Sequence, residues 1–466
     1  MHRVRPVLLA LVAAVLVGLG PTATPVAAAP GSTAGYTLDY TVTATGTLDR
    51  TYTKLALTET LSITAPETGM TSLVLGVLPR GFSAWTTTAT TVDGVAVPVT
   101  WSTTIGMTFD LSAAPWEPGT THEVVVSGVI DFARSTAPNA RLRRIGSGST
   151  FVLTAGDFLP LPTANPRWPV YADPLNAALA RSITMTLTAP STVANDGVAM
   201  SGDQSVVTSG RSWTSTIAPA RSFAFVLAPA FRTSTTSFTL TGANGVATPV
   251  RVSAVGNSSI TRGGDLSTGA VSVKWLWSRF GAGPYTNYKI VSVPVVDAAH
   301  EFPGLLMIGS NYTSALRRVV TRHEVAHQWW YGLVNSDQTT DPWMDESLAE
   351  YSARRIGGAN SPYRIGACTR KIDGPNYASS TYYAGKFGTN GFFECIYLRG
   401  MNVFYALGNA MGGQPRLEAC LKRYAQDHRF AAPGPVVLAQ YLRDCDERTL
   451  PVLRAWLSAA TVDATK

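Results

Sequence analysis

The 466-residue sequence is poor in charge. Asp, Glu, Lys and Arg together make up 14% of it, whereas hydrophobic residues make up 45%. So little charge beside so many apolar residues is typical of a folded protein and excludes a disordered one. The net charge is only +7, and no dense basic run is present. We therefore expect no nucleic-acid partner, because nucleic-acid binding depends on clustered cations.

An apolar run of about a dozen residues stands near the N-terminus, in the stretch "MHRVRPVLLALVAAVLVGLG". It is too short and too early in the chain to favour a membrane anchor. A basic end before the run, and small residues around a cleavage site near Ala29, form the layout of a secretory signal peptide. We predict a signal peptide over residues 1–29 and a secreted or cell-surface protein without stable membrane insertion. An uncleaved anchor is the alternative.

Cysteine is scarce and confined to the last quarter of the chain. The four cysteines are Cys368, Cys395, Cys420 and Cys445, and none is paired at metal-ligand spacing. In an exported chain an even number suggests two disulfides, which could form in about three ways. We predict the sequential pairing, Cys368 with Cys395 and Cys420 with Cys445. Buried free thiols are the alternative.

The chain divides into two parts with different patterns of apolar and polar residues, and at this length two domains are expected. Apolar and polar residues alternate through the first part, as in "YTLDYTVT", "LALTETLSI" and "RSFAFVLAP". A period of two is typical of strands with one buried face. We predict an antiparallel β-sandwich or saddle-like domain over residues 30–231. Short strands followed by helical segments predict an α+β domain over residues 232–466.

The stretch "TSALRRVVTRHEVAHQWWYG" predicts a helix that begins at Thr313 or Ser314 and ends at Gly332. His323 and His327 lie on its apolar stripe and therefore face inward. A lone inward histidine is usually a core residue satisfied by hydrogen bonds. Two of them one turn apart favour a shared Zn²⁺, because burying two uncompensated imidazoles is costly.

Acidic residues near these histidines extend the pattern. Glu324 is rotated about 100° from the first histidine and can point at the metal's water without binding the metal. A catalytic zinc needs a third protein ligand, and the next predicted helix, "DPWMDESLAEYSARRIGG", offers Glu346 and Glu350 on one face. We expect Asp341 to cap this helix and Pro342 to be its first residue. Taken alone, one of the two glutamates would interact favourably with the helix dipole and the other would form an ordinary ion pair on the helix.

The spacing carries a family resemblance. H-E-x-x-H, followed after 18 residues by Glu346 in "WMDES", resembles the zinc signature of the aminopeptidase N-type metallopeptidases, a gluzincin family. Ser347 stands where the family usually has glycine. The resemblance implies a thermolysin-like catalytic domain, Glu324 as general base, and Glu350 as a carboxylate that orients a histidine. It implies three ligands for one Zn²⁺ per chain: His323, His327 and Glu346.

The stretch "DAAHEFPGLLMIG" corresponds to the family's Gly-x-Met-Glu-Asn segment, whose glutamate binds the free amino group of the substrate. Only Glu301 is kept, since Ala298, His300 and Phe302 replace the glycine, methionine and asparagine. "EFPG" is similar to the Glu-Tyr-Pro-Gly of some bacterial relatives. A carboxylate in a partly dry cleft suits an ammonium group. A loop glutamate paired with an arginine is the alternative, and we expect His300 at the rim of the site.

The stretch "ECIYLRGMNVF" resembles the family's Tyr-x-Lys/Arg-Gly segment and points to Tyr397. A phenol opposite the zinc can donate a hydrogen bond to the oxyanion of a tetrahedral intermediate. The chain is rich in tyrosine, so a packed core aromatic is the alternative reading.

These features together predict an exported zinc-dependent aminopeptidase that acts on peptides with a free N-terminus. Two alternatives stay open from the sequence. The same zinc chemistry could serve an endopeptidase or a hydrolase of a non-peptide substrate, because the segment around Glu301 departs from the family's pattern. An inactive cell-surface binding protein, in which the β domain does the work, belongs to a different class.

Overall fold

A computed structural model describes residues 38–465 except 102–105, 138–140, 164–177, 209, 243–244, 296–297, 339, 362–367 and 374–390. The predicted signal peptide, residues 1–29, lies outside the described residues and stays a prediction. Within the described part, no helix combines the length and the apolar character that a membrane crossing requires.

The first part of the described chain is built from strands and one short helix, α1 (Leu78–Gly81). The strands are β1 (Asp39–Leu48), β2 (Lys54–Thr64), β3 (Ser72–Gly76), β4 (Trp85–Val92), β5 (Val95–Ala96), β6 (Val99–Trp101), β7 (Gly106–Asp110), β8 (Thr121–Asp131), β9 (Leu142–Ile145), β10 (Val152–Gly156), β11 (Leu161–Pro162), β12 (Ser182–Thr188), β13 (Val198–Met200), β14 (Asp203–Thr208), β15 (Ser212–Ile217) and β16 (Ala224–Leu227).

These strands form three sheets. The largest has eight strands in the order β14-β15-β12-β1-β2-β8-β4-β5, and two four-stranded sheets have the orders β13-β16-β10-β9 and β11-β3-β7-β6. The predicted alternation is confirmed in β2, where Leu55, Leu57, Leu61 and Ile63 are buried between more exposed neighbours. One pair departs from the antiparallel prediction, because β1 and β12 run parallel. The eight-stranded sheet is therefore mixed, with an antiparallel majority, and the two four-stranded sheets are antiparallel throughout.

The outer face of the eight-stranded sheet carries hydroxyl groups in register across neighbouring strands. Because side chains directly opposite each other on one face lie close together, these hydroxyls can hydrogen-bond. The pairs, at 2.8–3.2 Å, are Thr184–Thr216, Thr186–Thr214, Thr188–Ser212, Thr58–Ser127 and Thr64–Thr121. The threonines that mark the sequence of this half thus join its strands side chain to side chain.

The second part combines one sheet with helices. Its elements are β17 (Arg232–Thr241), β18 (Ala247–Gly256), α2 (Ser259–Phe280), β19 (Asn287–Val293), β20 (Ala299–Phe302), β21 (Leu305–Gly309), α3 (Ser314–Ala326), α4 (Trp343–Ile356), a π-helical segment (Phe393–Arg399), α5 (Gly400–Ala410), α6 (Gln414–Asp427), α7 (Pro435–Cys445), α8 (Leu450–Trp456) and α9 (Ala459–Val462). The sheet order is β17-β18-β19-β21-β20, with β18, β19 and β21 parallel. The predicted boundary between the two domains, at residues 231 and 232, coincides with the start of β17. The division into these two domains remains a prediction.

Helices α2 and α3 are joined by a buried ion pair. Arg317 of α3 donates two hydrogen bonds of 2.7 Å to the carboxylate of Asp265 in α2. Its third nitrogen, Nη1, donates to the carbonyl of Gly309 at the end of β21, at 2.6 Å. A bidentate pair fixes both distance and orientation, so α3 is held against both α2 and the sheet.

The side chains of the edge strand β20 point to two opposite faces of the sheet. Phe302 packs in a core cluster together with residues of the first part, and its ring lies so close to Gly156 of β10 that a Cβ there would come within 2.0 Å of it. Because successive side chains of a strand point to opposite faces, Glu301 points away from that cluster, towards the helices. Packing between the two parts of the chain therefore sets the direction of Glu301.

Both disulfides have the predicted sequential pairing, Cys368–Cys395 and Cys420–Cys445. The second joins α6 to the last residue of α7. The two cysteines are separated by 25 residues, and closing a loop of that size restricts the unfolded chain.

The double substitution Cys420→Ala and Cys445→Ala should lower the free energy of unfolding of the helical part by about 3 kcal/mol, because the unfolded chain regains the entropy of the open loop. Denaturant unfolding followed by circular dichroism measures the change. Added reductant should lower the midpoint of the native protein more than that of the double variant. Equal midpoints for the two proteins without reductant would contradict the prediction.

Candidate metal centre

Helix α3 carries both histidines of the motif. Its N-cap is Thr313, whose Oγ1 accepts a hydrogen bond from the N–H of Leu316 at 3.3 Å, so the predicted start is confirmed. The predicted end at Gly332 is wrong, because the regular helix ends at Ala326. The chain continues in tight turns, in which the N–H of Gly332 donates to the carbonyl of His327. His327 keeps helical dihedral angles and still bonds to the carbonyl of the first histidine, so the two imidazoles stay one turn apart.

Helix α4 supplies the carboxylates that meet these histidines. It begins at Trp343, one residue later than predicted, and the side chain of Asp341 does not cap it. Instead, Asp341 Oδ2 accepts a hydrogen bond from Thr340 Oγ1 at 2.7 Å. Glu346 and Glu350 stand on the face of α4 that packs on α3, and both reach His323.

Three atoms converge at the centre of the site. Nε2 of His323 lies 3.0 Å from Nε2 of His327 and 3.1 Å from Oε2 of Glu346. The third side of the triangle, between His327 Nε2 and Glu346 Oε2, is 3.3 Å. All three side chains are buried, with at most 8% of each residue exposed.

Each imidazole uses its other nitrogen to contact a second carboxylate. Nδ1 of His323 lies 3.1 Å from Glu350 Oε2, and Nδ1 of His327 lies 2.5 Å from Asp345 Oδ1. A carboxylate accepts hydrogen bonds, so these contacts place an N–H on each Nδ1. Each neutral ring then has only a lone pair on Nε2, directed at the centre.

The converging atoms fit a zinc ion. Two nitrogen lone pairs and one carboxylate oxygen that face one another have no proton to share, so a cation is needed between them. In a tetrahedral site with ligand bonds of about 2.0–2.1 Å, ligand atoms are about 3.3 Å apart, close to the observed edges. His323, His327 and Glu346 are therefore able to hold Zn²⁺ and would leave its fourth position open.

The protonation equilibria of the cluster show the same demand for positive charge. Burial lowers the pKa of His323, but hydrogen bonds with Glu346 and Glu350 outweigh it and raise the value to about 9. Burial also opposes ionisation of Glu346, yet the two histidines hold its pKa well below the usual range. Without a metal, protons on the histidines would balance part of the negative charge of the carboxylates.

Glu324, directly after the first histidine, is buried beside the triangle. Its Oε2 has no hydrogen-bond partner in the part of the chain that the structure describes. Burial raises the pKa of its carboxyl group, although His323 and His327 lower it. A carboxylate with a free oxygen and a raised pKa can accept a proton from a nearby water molecule.

Glu301 lies on β20 at the edge of the same cluster. The residue is 4% exposed, and its Oε1 has no hydrogen-bond partner among the described residues. It also forms, with His327 and Asp345, a second group whose ligand atoms all lie within 4.8 Å of one another. Burial raises its pKa well above the usual value, and Glu324 and Glu346 add to this effect. His300, the residue before Glu301, is buried and its ring lies 5.9 Å from that of Phe302, so it is not an exposed residue at a rim.

Gln328, the residue after the second histidine, holds the turn that follows Glu301. Its fully buried amide donates to the carbonyls of Glu301 and Phe302 at 3.4 and 3.3 Å. Its Oε1 accepts a hydrogen bond from the N–H of Gly304 at 2.9 Å. The side chain of Gln328 thus fixes the turn after α3 to the hairpin of β20 and β21.

Tyr397 lies in the π-helical segment Phe393–Arg399. Its ring stacks on the imidazole of His323, with ring centroids 5.6 Å apart and an angle of 19° between planes. Burial, the charge of Glu346 and a hydrogen bond with it raise the pKa of the phenol well above its usual value. The hydroxyl therefore stays protonated and able to donate.

Every residue that the sequence predicted for the site lies in this one cluster. Two residues of the cluster, Asp345 and Gln328, were not predicted. Asp345 could have been suspected as a second carboxylate in the first turn of α4, next to Glu346. Gln328 gave no such signal, because its partners are backbone groups of a hairpin more than twenty residues earlier in the sequence.

Comparisons with known proteins agree with this picture. No family model matches the chain. The M1 zinc metallopeptidase of Deinococcus radiodurans is similar in structure, with a TM-score of 0.62 and 18% identity over 91% of this chain and 94% of that one. A mutant two-domain M1 zinc metallopeptidase bound to L-tryptophan gives a TM-score of 0.64 and 18% identity over 92% and 95%. A Deinococcus radiodurans mutant bound to a Tyr-Ser-Ala substrate gives 0.61 and 17% over 91% and 94%.

Among curated proteins, Aminopeptidase RNPEPL1 of Mus musculus is 28% identical over 195 residues. The match covers 37% of this chain and only 26% of that relative, so it spans about a quarter of the relative's length. The structural likeness is long but low in identity, and it establishes the fold. The chain has the two-domain fold of the M1 zinc metallopeptidases, and the predicted fold class is confirmed.

Asp345→Asn should weaken zinc binding by about 10- to 100-fold, because the amide keeps the shape of the side chain but removes the charge that favours the N–H on His327 Nδ1. Titration of the metal-free protein with zinc against a competing chelator measures the affinity. Asp444→Asn, an exposed and remote change, is the control. An unchanged zinc affinity of Asp345→Asn would show that this carboxylate does not support the site.

Proposed function

We propose that the protein is an exported zinc-dependent aminopeptidase that hydrolyses the first peptide bond of peptides with a free N-terminus. The observation that carries the proposal is the unpartnered oxygen of the buried Glu301 carboxylate beside the three converging ligand atoms. A buried carboxylate without a partner is costly unless a cation binds it, and the α-ammonium group of a peptide is such a cation.

The residues that would hold the metal are His323, His327 and Glu346. Zinc, when bound there, acts as a Lewis acid that polarises the scissile carbonyl and lowers the pKa of water. Glu350 and Asp345 keep the two imidazoles in the tautomer that presents Nε2 to the metal. The similarity of fold to the M1 zinc metallopeptidases supports the choice of zinc.

Glu324 fits the role of general base and then general acid. Its free Oε2 accepts a proton from the attacking water and later delivers that proton to the leaving amine. The raised pKa of the carboxyl group makes it a stronger base than an ordinary carboxylate, which favours acceptance of the proton.

Glu301 and Tyr397 complete the site at either side of the scissile bond. Glu301 binds the α-ammonium group and so places the first peptide bond over the metal. The Tyr397 hydroxyl, kept protonated by its raised pKa, donates a hydrogen bond to the oxyanion of the tetrahedral intermediate. Tyr-Ser-Ala, bound to a mutant of the Deinococcus radiodurans enzyme, is an example of a peptide that a protein of this fold accepts.

Glu324→Gln should retain zinc and lower kcat by about 100- to 10,000-fold, because the amide cannot accept the proton of the attacking water. Metal analysis of the purified variant and steady-state kinetics measure the two effects. The exposed Glu447→Gln is the matched control and should keep wild-type rates. If Glu324→Gln turned over at the wild-type rate, Glu324 would not be the base.

A panel of aminoacyl fluorogenic amides, each with a free and an acetylated N-terminus, should separate an aminopeptidase from an endopeptidase. We expect chelator-sensitive cleavage of the free forms, with kcat/KM about 100-fold above that of the acetylated forms, because the acetyl group leaves Glu301 unpaired. Glu301→Gln should reduce this ratio mainly through a higher KM. Equal cleavage of both forms would argue for an endopeptidase or another hydrolase on the same scaffold.

A further inference from the structure

Ser347 occupies the position directly after the proposed zinc ligand Glu346 and is fully buried in α4. Its Oγ donates a hydrogen bond of 2.7 Å to the carbonyl of Ile396. Ile396 is in turn the residue directly before Tyr397. One side-chain hydrogen bond therefore links the neighbour of a metal ligand to the neighbour of the proposed oxyanion donor.

The segment that carries Tyr397 has π-helical geometry, which is rare and less regular than an α-helix. It is attached to the rest of the molecule at several points. Cys395 is bonded to Cys368, and Arg399 Nε donates to the carbonyl of Arg370 at 3.0 Å. Both of these contacts lead away from the metal centre. The hydrogen bond from Ser347, in contrast, joins the segment to α4, the helix that carries Glu346.

Ser347 also faces a glycine. A Cβ at Gly400 would come within 1.9 Å of Ser347 Oγ and 2.8 Å of its Cβ, distances that side chains do not tolerate. The backbone of Gly400 is ordinary helix, with φ of −59°, so conformational freedom does not explain the glycine. The close approach of α4 to the start of α5 requires it, and the serine and the glycine are matched in size.

We propose that Ser347 is a positioning residue for Tyr397. Its hydroxyl sets the distance between the helix that carries Glu346 and the segment that carries the phenol, so that the Tyr397 hydroxyl lies where charge develops in the transition state. The inference rests on the proposed function, since it assigns Ser347 a part in the same reaction. Tyr397 also stacks on His323 of α3, so the segment contacts both helices that carry the proposed ligands.

Removing a positioning residue lowers kcat as well as stability, whereas removing a purely structural residue lowers stability alone. Loss of one buried hydrogen bond lowers stability by about 1 kcal/mol wherever it occurs. A hydroxyl displaced by a fraction of an ångström from a developing oxyanion lowers kcat, because that interaction depends on preorganised distance. Substrate binding through Glu301 would be unaffected, since Glu301 lies on a different element.

The test compares Ser347→Ala with Ser352→Ala. Both serines are fully buried in α4, but Ser352 Oγ bonds to the carbonyl of Leu348 and accepts from Trp330 Nε1, away from the phenol. We expect Ser347→Ala to retain zinc, to lower kcat by about tenfold and to leave KM within about twofold. Ser352→Ala should lose at least as much stability, because it removes two hydrogen bonds, and should keep kcat.

A double-mutant cycle with Tyr397→Phe identifies the route of the effect. If Ser347 acts through the phenol, Ser347→Ala should cause no further loss of kcat in the Tyr397→Phe background. An unchanged kcat of Ser347→Ala, or an equal loss in both backgrounds, would overturn the proposal.

A readout without turnover keeps this inference separate from the proposed function. 3-Fluorotyrosine at position 397 reports the surroundings of the ring by ¹⁹F NMR. We expect a shifted or broadened signal in Ser347→Ala and an unchanged one in Ser352→Ala. The same signal in all three proteins would overturn the positioning role even if the wild-type protein hydrolysed no peptide, in which case the proposed function would fail by itself.

Discussion

The Nε2 atoms of two buried imidazoles lie 3.0 Å apart, and the Nδ1–H of each imidazole donates a hydrogen bond to a carboxylate of α4. This arrangement is the constraint on which the rest of the site depends. The outer contacts with Asp345 and Glu350 decide where the protons are, and so leave two lone pairs directed at one point. The bidentate pair of Arg317 and Asp265 holds α3 against α2, and the hydrogen bond from Arg317 to the carbonyl of Gly309 holds it against the sheet.

The cluster has more buried carboxylates than the two histidines can balance, and this excess would allow one site to bind two different cations. The inner carboxylate, Glu346, belongs to the ligand triangle and is held ionised by the histidines. Glu301 and Glu324, further out, have raised pKa values and free oxygens. A metal would satisfy the first group and a peptide ammonium or an attacking water the second. The need for positive charge is thus strongest at the three converging ligand atoms and weaker at Glu301 and Glu324.

The residues alone predicted what depends on short spacings, the family resemblance added Glu301 and Tyr397, and several contacts between distant segments were predicted by neither. The i, i+4 spacing of His323 and His327, and of Glu346 and Glu350, follows from helix periodicity, and the structure brings these residues together. The parallel pairing of β1 with β12 joins strands more than a hundred residues apart and has no local pattern. The bond of Ser347 to Ile396, and its fit to Gly400, likewise depend on how two elements approach. The helix end at Ala326 was missed because no glycine or proline interrupts the sequence before Gly332.

The hydroxyl pairs on the outer face of the eight-stranded sheet explain how a chain with so little charge keeps an ordered, water-exposed surface. Hydroxyl pairs are neutral, so dissolved ions do not screen them. Between ~0.1 M and ~1 M salt the Debye length falls from ~10 Å to ~3 Å, which weakens surface ion pairs. Contacts such as Thr186–Thr214 are indifferent to this change. We therefore expect the contribution of these pairs to the cross-strand order of the β half to be independent of salt concentration.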